Sequence, residues 1–179
     1  MEHCRAILVR KSRWSESSLI ITWLTDRFGT LRTSARGALR PGSTLAGKFD
    51  LFHCAEITIA MSRTSSLHSL REVTVESSFR ACGSPYASLA LASYFAELSA
   101  AVAPPMQASH ELHDLLGRAL DHIAAKPPSR RAFDHFEAET ARLLGVFDPS
   151  GATPPHVALA QLCGNLPRSR TGALKALEL

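Results

Sequence analysis

The hydrophobic period of this chain changes once, near residue 80. Before that point the apolar residues fall in short runs separated by Gly, Ser and charged clusters, which is typical of β-strands. After it they recur at i, i+3, i+4 and i+7, the spacing of helices that bury one face. This single change predicts a strand-rich part followed by a helical part.

Five strands are predicted in the first part. They cover residues 6–9, 19–24, 30–35, 51–61 and 67–76. In the fourth, Ala55, Ile57 and Ile59 alternate with Glu56 and Thr58, the period of a half-buried strand. Five short strands bury their apolar face best when the sheet closes on itself. We therefore expect a small five-stranded barrel of the OB-fold type.

The second part is predicted to be helical. The predicted helices cover residues 86–103, 112–123, 133–147, 155–163 and 168–179. Ser109 is placed to cap the second helix, and Pro127-Pro128-Ser129 opens the third, which Gly145 closes. The fold class is therefore α+β, an N-terminal five-stranded OB-fold barrel followed by a helical domain.

The length of 179 residues suits two small domains, which we predict at 1–80 and 81–179, separated at Cys82-Gly83-Ser84-Pro85. The charged start of the chain leaves no room for the apolar core of a signal peptide, so we expect a cytoplasmic, nucleoid-associated protein. Residues 86–103 are apolar but contain Glu97 and three serines, which favours a buried helix over a membrane span. Glu97 itself is either a buried, paired carboxylate or part of the solvated side of this helix.

Positive charge is concentrated in the first part. Residues 1–80 carry twelve Lys and Arg against seven Asp and Glu, whereas residues 81–179 carry eight against nine. A local excess of this kind favours a polyanionic partner, although it also occurs on inert surfaces.

The segment from residue 27 to 48 contains several cations and no acid. These are Arg27, Arg32, Arg36, Arg40 and Lys48. A mobile, Gly-containing basic loop beside a small barrel can follow a phosphate backbone while guanidinium groups stack on unpaired bases. A second basic group, Arg10, Lys11 and Arg13, precedes Trp14. The arginines are alternatively a solvated face, and Trp14 either stacks on a base or caps the barrel.

Several short motifs, in order, resemble the bacterial recombination mediator family RecO. In the first part they are Trp14-Ser15-Glu16-Ser17-Ser18-Leu19, Leu24-Thr25, Phe28-Gly29, Ala35-Arg36-Gly37-Ala38, Ser43-Thr44-Leu45 and Gly47. In the second part they are Tyr94, Glu97-Leu98, Glu111-Leu112, Leu115-Leu116, Phe136, Leu143-Leu144-Gly145 and Pro149. The resemblance covers roughly residues 3–149, and it is the series across both parts that makes it specific.

The resemblance implies a protein that is not an enzyme and needs no cofactor. Such proteins bind and anneal single-stranded DNA and, with the partner RecR, help the recombinase RecA replace single-strand-binding protein. The family also has a pocket in its helical domain for the tail of single-strand-binding protein, but no short motif fixes that pocket here. The predicted nucleic-acid-binding residues are Arg10, Lys11, Arg13, Arg32, Arg36, Arg40 and Lys48, of which Arg36 and Arg40 match the family most directly.

Two departures from the family support an alternative. Leu39, Pro41 and Gly42 dilute the basic loop, and Ser150-Gly151-Ala152 stands where many members carry a four-cysteine zinc module. We also expect the chain to be short for the family at its C-terminal end. The alternative is a protein-interaction adaptor in DNA repair with little DNA binding of its own.

Other patterns give no strong prediction of chemistry. The four cysteines form no C-x-x-C pair, and no Gly-rich phosphate loop is present. His110, His113 and Asp114 have a spacing that suits either a metal site or a helix with His113 on its apolar edge. A metal-dependent hydrolase is therefore a third hypothesis. No catalytic residue and no metal ligand is predicted.

Overall fold

The computed structural model describes residues 1–78 and 86–178, and within those ranges five strands precede five helices. The strands are β1 Glu2–Arg13, β2 Leu19–Thr25, β3 Gly29–Ala35, β4 Cys54–Ala60 and β5 Leu67–Ser77. The helices are α1 Tyr86–Val102, α2 His110–Ala125, α3 Arg130–Leu143, α4 Pro155–Cys163 and α5 Ser169–Ala176. The predicted fold class, a five-stranded barrel followed by helices, is confirmed.

The strands close into a barrel in the order β1-β2-β3-β5-β4. Neighbouring strands are antiparallel except β3 and β5, which pair in parallel between residues 32–34 and 67–69. The interior is filled by alternating side chains of all five strands, with Trp23, Leu8 and Ile59 fully enclosed. Closure in this order leaves no unpaired edge along the barrel, as in an OB-fold.

The first strand is much longer than the predicted run of residues 6–9. Its first half, from Glu2 to Ile7, pairs with β4, and its second half, through Arg13, pairs with β2. The register shifts between Leu8 and Arg10, which allows the strand to bend from one partner to the other. Only the central residues are buried on both sides, so the hydrophobic run in the sequence covers only the middle of the strand.

The segment between β3 and β4 is a series of turns that closes one end of the barrel. Ala38, Leu45 and Phe49 belong to the barrel core, and the Phe49 ring packs edge-on against Trp23 at a centroid distance of 6.4 Å. The predicted loop is thus a series of turns that three buried side chains anchor to the barrel core, and its predicted mobility stays a prediction. Phe52 has φ 68° and its N–H donates to the Leu8 carbonyl at 2.8 Å, so β4 begins later than the predicted residue 51.

The helices begin and end near the capping and turn residues of the sequence. The Ser129 hydroxyl accepts a hydrogen bond from the Ala132 N–H at 3.2 Å and caps α3, which ends before Gly145 at φ 71°. Ser109 directly precedes α2, and its carbonyl accepts from the His113 N–H at 2.9 Å. The last two helices, α4 and α5, also lie within the predicted ranges 155–163 and 168–179.

Stacked aromatic rings form the centre of the helical core. Phe95 stacks on Phe136 with ring centroids 4.0 Å apart, and Tyr94 stacks on Phe133 at 5.1 Å. All four rings are essentially enclosed. The only acid buried in the described ranges, Glu137, lies beside them, where its carboxylate accepts a hydrogen bond from the Tyr94 hydroxyl at 2.6 Å.

The described residues divide into two compact units. One contains residues 1–78 and 103–113, and the other contains 86–102 and 114–178. The predicted domain boundary near residue 80 and the linker Cys82-Gly83-Ser84-Pro85 lie outside the described residues. None of the helices in the described ranges is long and apolar enough to span a membrane.

Candidate nucleic-acid interface

Three strands of the barrel present one continuous outer face. Arg10 on β1 pairs with Thr22 on β2, and Thr22 pairs with Arg32 on β3. Residues paired across an antiparallel ladder point to the same side, and here their sequence neighbours Ile21 and Leu31 fill the core. The two arginines therefore stand on the outer face, one on either side of Thr22.

Four of the seven predicted cations are free to meet a ligand. In the described part of the chain, Arg10, Arg32, Arg36 and Arg40 are exposed and their side chains make no hydrogen bond or ion pair. Arg36 follows β3 directly, and Arg40 lies in the turn that Gly37 begins at φ 67°. These four residues are called the free arginines below.

The other three predicted cations are held by the protein itself. The Lys11 ammonium donates to the Phe49 carbonyl at 2.6 Å and to Asp50 at 3.0 Å, and this partner lowers the pKa of Asp50. The Lys48 ammonium donates to the Val73 carbonyl at 2.8 Å. Arg13 donates to the backbone carbonyls of the loop between β1 and β2. These three side chains therefore help to hold loops in place.

A groove of about 430 Å³ lies beside two of the free arginines. It is lined by Trp14, Ser15, Ser17, Ser18, Arg36, Gly37 and Arg40. Trp14 is 66% exposed, so it does not cap the barrel; Trp23, which is fully buried, fills the core instead. The structure therefore brings an exposed indole together with Arg36 and Arg40.

Backbone hydrogen bonds fix both walls of this groove. The Trp14 N–H donates to the Ser18 carbonyl at 2.9 Å, which closes the turn between β1 and β2. The Leu39 N–H donates to the Ser17 carbonyl at 3.0 Å, and the Gly37 N–H donates to the Ser18 hydroxyl at 3.3 Å. These hydrogen bonds join the two loops that form the walls of the groove.

Charge clustering in the sequence does not identify Arg63, an exposed arginine of the barrel. Arg63 lies between β4 and β5, in the loop of an OB-fold that commonly contacts oligonucleotides together with the β1–β2 loop. It is a lone cation in a Ser-rich and Thr-rich stretch, so only its position between two predicted strands indicates it.

The helical unit contains a second groove, of about 680 Å³, between α2 and α3. Its floor includes the rings of Phe95 and Phe136 with Leu115, all at most 5% exposed. Its exposed rim is basic and contains Arg118, His122, Lys126, Arg131 and His135. None of the described residues that line it is acidic.

The sequence does carry a pattern for this helical groove. Arg118, His122 and Lys126 recur every four residues, and so do Arg131 and His135. Residues four apart lie on the same side of a helix, so each series predicts a basic stripe. A net charge count hides both stripes because acids elsewhere in the helical part cancel them.

The structure also places two residues whose surroundings the sequence left open, Glu97 and His113. Glu97 is exposed and accepts a hydrogen bond from the Ser169 hydroxyl at 2.6 Å, so it belongs to the solvated side of α1. His113 is buried at 4% exposure. Over residues 1–78 and 86–178, no three His, Cys, Asp or Glu side chains are grouped to hold a metal ion.

Two family models match this chain. Residues 1–79 match the model described as Recombination protein O N terminal, and residues 84–147 match the one described as Recombination protein O C terminal. A DNA repair protein RecO from a Cyanothece species is 35% identical over 112 residues, 63% of this chain and 38% of the relative. Proteins of the same name from Rhodopirellula baltica and an Anaeromyxobacter species are 29% identical over 140 residues, 78% of this chain.

The matched region is only part of these relatives. It covers 52% of the Rhodopirellula protein and 55% of the Anaeromyxobacter protein. The chain thus spans about half the length of the curated relatives it matches.

Proposed function

The chain belongs to the RecO family, and from this membership we propose that it binds and anneals single-stranded DNA in recombinational DNA repair. The proposed role is non-enzymatic: the protein holds complementary strands together and, with RecR and single-strand-binding protein as partners, helps to load the recombinase. The names of the matched relatives support a role in DNA repair.

One observation carries the DNA-binding part of this proposal. The free arginines lie on or beside a single outer face of the barrel, and no described acid neutralises them. Unpaired guanidinium groups can bind phosphate without first breaking internal contacts. We propose that Arg10, Arg32, Arg36 and Arg40 contact the DNA backbone, while Lys11, Arg13 and Lys48 support the loops and add to the positive field.

Fluorescence anisotropy of a labelled single-stranded oligonucleotide, titrated at several salt concentrations, tests the proposal. Four phosphate contacts predict that log affinity falls with log salt at a slope of about −3. The double variant Arg36→Ala, Arg40→Ala removes two contacts, so its slope is expected to be about −1.5 and its affinity lower at every salt concentration.

The matched control is the double variant Arg5→Ala, Arg27→Ala. It removes the same charge from the same barrel, but these arginines pair with Glu76 and Glu2 away from the groove. Exposed pairs of this kind contribute little to stability, so the control should fold normally. A flat salt dependence, or equal losses in the two double variants, would refute DNA binding through the free arginines.

The groove in the helical unit supports a second candidate function, that of a protein-interaction adaptor. An apolar floor with a basic rim suits a peptide that carries both apolar side chains and carboxylates. We propose the tail of single-strand-binding protein as its occupant, the partner that the family resemblance implies.

Binding of purified single-strand-binding protein, measured by calorimetry, tests this second function. Arg118→Glu on the rim is expected to weaken binding about tenfold or more because it places a like charge against the peptide. Lys175→Glu, an equal change of charge on exposed α5 outside the groove, serves as control. Strong binding of this partner with no DNA binding at low salt would favour the adaptor over the annealing protein.

A further inference from the structure

Trp14 is an exposed aromatic side chain with no internal partner. The residue is 66% exposed, the highest exposure of any described tryptophan, tyrosine or phenylalanine except Tyr86. Within the described residues, its ring makes no hydrogen bond, no ring stacking and no cation–π contact. Exposing a large apolar ring gains nothing for folding, so the packing of the barrel does not explain it.

The position of Trp14 is fixed although its ring is free. The backbone N–H of Trp14 donates to the Ser18 carbonyl. The side chain of the preceding Arg13 donates to the carbonyls of Ser15 and Glu16 at 3.2 and 3.1 Å. The backbone of the loop is therefore held from both sides. A planar ring on a fixed loop forms a stacking platform at low cost in conformational entropy.

Arg36 and Arg40 line the same groove as Trp14. Its volume of about 430 Å³ falls within the range typical of small-ligand pockets, about 300–1,000 Å³. Aromatic platforms flanked by cations are how OB-folds hold single strands, because every base has a π-face and every nucleotide has a phosphate. The groove thus offers both components at one position.

We propose that the groove of Trp14, Arg36 and Arg40 takes one unstacked base of single-stranded DNA. The base stacks on the Trp14 indole while the two guanidinium groups contact its phosphates. This inference rests on the proposed function and adds a contact, the stacked base, that a single strand can make and a duplex cannot. In a duplex the bases are already stacked on one another, so a duplex can use the arginines but not the indole.

The two tryptophans of the chain allow a direct test by intrinsic fluorescence. Trp23 is fully buried, with its Nε1 donating to the Thr33 hydroxyl at 2.8 Å, so it should not respond to a ligand. We expect an oligothymidine to quench the Trp14 emission, and an abasic oligonucleotide of the same length to bind without quenching. Trp14→Phe should leave only the unresponsive Trp23 signal.

Affinity, measured separately by anisotropy of labelled DNA, distinguishes the inference from the proposed function. Trp14→Ala is expected to weaken single-strand binding about 5-fold to 150-fold, the range for loss of one stacked base, and to leave duplex binding unchanged. Leu51→Ala, another exposed apolar residue of the barrel unit, should change neither.

Two outcomes would overturn the inference. If DNA binds but abasic and normal strands bind equally, and Trp14→Ala matches the parent protein, the arginines bind DNA without a base in the groove and the proposed function stands. If no labelled DNA binds at low salt, the proposed function and the inference both fail.

Discussion

His68 is a titratable side chain enclosed by the barrel wall. It is 6% exposed, and its Nδ1 accepts a hydrogen bond from the Ser62 N–H at 3.0 Å in the loop that carries Arg63. An accepting Nδ1 carries no proton, and burial lowers the pKa of His68 below its ordinary value. The folded barrel therefore resists a protonation that the unfolded chain accepts readily.

We expect acid to destabilise the barrel through His68. Above about pH 7.5, one unit above the ordinary histidine pKa of about 6.5, the ring is neutral in both states and contributes almost no pH dependence. Below it the unfolded state binds a proton that the folded state refuses, so the free energy of unfolding falls by at most about 1.4 kcal/mol per pH unit. Below the lowered folded-state pKa the loss levels off.

Urea denaturation at pH 7.5, 6.0 and 5.0 measures this effect. His68→Gln keeps a side-chain acceptor but does not titrate, and every other histidine is the same in both proteins. The variant should lose less stability than the parent protein between pH 7.5 and 5.0. Parallel pH profiles for the two proteins would show that His68 does not control acid stability.

The sequence identified the basic residues, but it could not separate the free ones from those held internally. Lys11 is bound by the Phe49 carbonyl, 38 residues away, and Lys48 by the Val73 carbonyl, 25 residues away. Any backbone carbonyl can accept such a bond, so residue type does not reveal which one will. Residue type also does not show which of the two tryptophans is buried. The structure places Trp23 in the core and leaves Trp14 exposed.

At the scale of elements, helices were predictable to within a few residues because their ends carry specific side chains. Ser129 caps α3 and Gly145 follows its end at a positive φ. Strand ends carry no such markers. The polar ends of β1 are strand because β2 and β4 offer backbone partners, which is a long-range condition.

The last described helix, α5, is attached to the helical core by a buried ion pair. Arg170 donates from Nε and Nη2 to the two carboxylate oxygens of Glu137 at 2.7 and 3.2 Å. Glu137 is 3% exposed and also accepts from the Tyr94 hydroxyl. Burial and the Glu137 carboxylate raise the pKa of Tyr94 well above its ordinary value, so the phenol stays protonated and continues to donate.

Removing Arg170 is expected to destabilise the helical unit strongly. Arg170→Ala leaves a buried carboxylate without its cation, a loss of about 3 kcal/mol or more in the free energy of unfolding. Arg130→Ala breaks the exposed pair with Asp134 on α3 and should cost no more than about 0.5 kcal/mol. Chemical denaturation followed by circular dichroism compares the two variants.

A second substitution separates the buried charge from lost packing. Adding Glu137→Gln to Arg170→Ala removes the unpaired charge, so the double variant should recover part of the lost stability. If the double variant is no more stable than Arg170→Ala, the destabilisation arises from packing of the arginine over the Phe133 ring instead.

At the scale of the molecule, the barrel unit includes a segment distant in sequence. Residues 103–113 join it through hydrogen bonds from the Met106 N–H to the Phe28 carbonyl at 2.8 Å and from the Ser109 N–H to the Asp26 carbonyl at 2.9 Å. Gly29 lies at this contact with φ 58°, and a Cβ added there would stand 2.0 Å from the Pro104 carbonyl oxygen. The hydrophobic period alone gives no indication of this packing.

Gly29→Ala is therefore expected to destabilise the barrel unit by more than about 3 kcal/mol, from backbone strain and collision together. Gly42→Ala is a matched control, because Gly42 has φ 75° but nothing within 4 Å of the added Cβ. It should cost only the strain, about 1 kcal/mol. Equal losses of stability in the two variants, measured by thermal denaturation, would mean that residue 104 moves aside freely.

The same carbonyl limits the order in which this sequence can diverge. A descendant lineage cannot replace Gly29 first, because every L-amino acid would meet the Pro104 oxygen. Changes that shift or shorten the stretch around Pro104 must come earlier, and they are tolerated on their own only if the barrel survives without that contact. Substitutions at Gly29 and around Pro104 should therefore occur together in related sequences. Gly29 should be kept wherever the backbone around Pro104 keeps its present conformation.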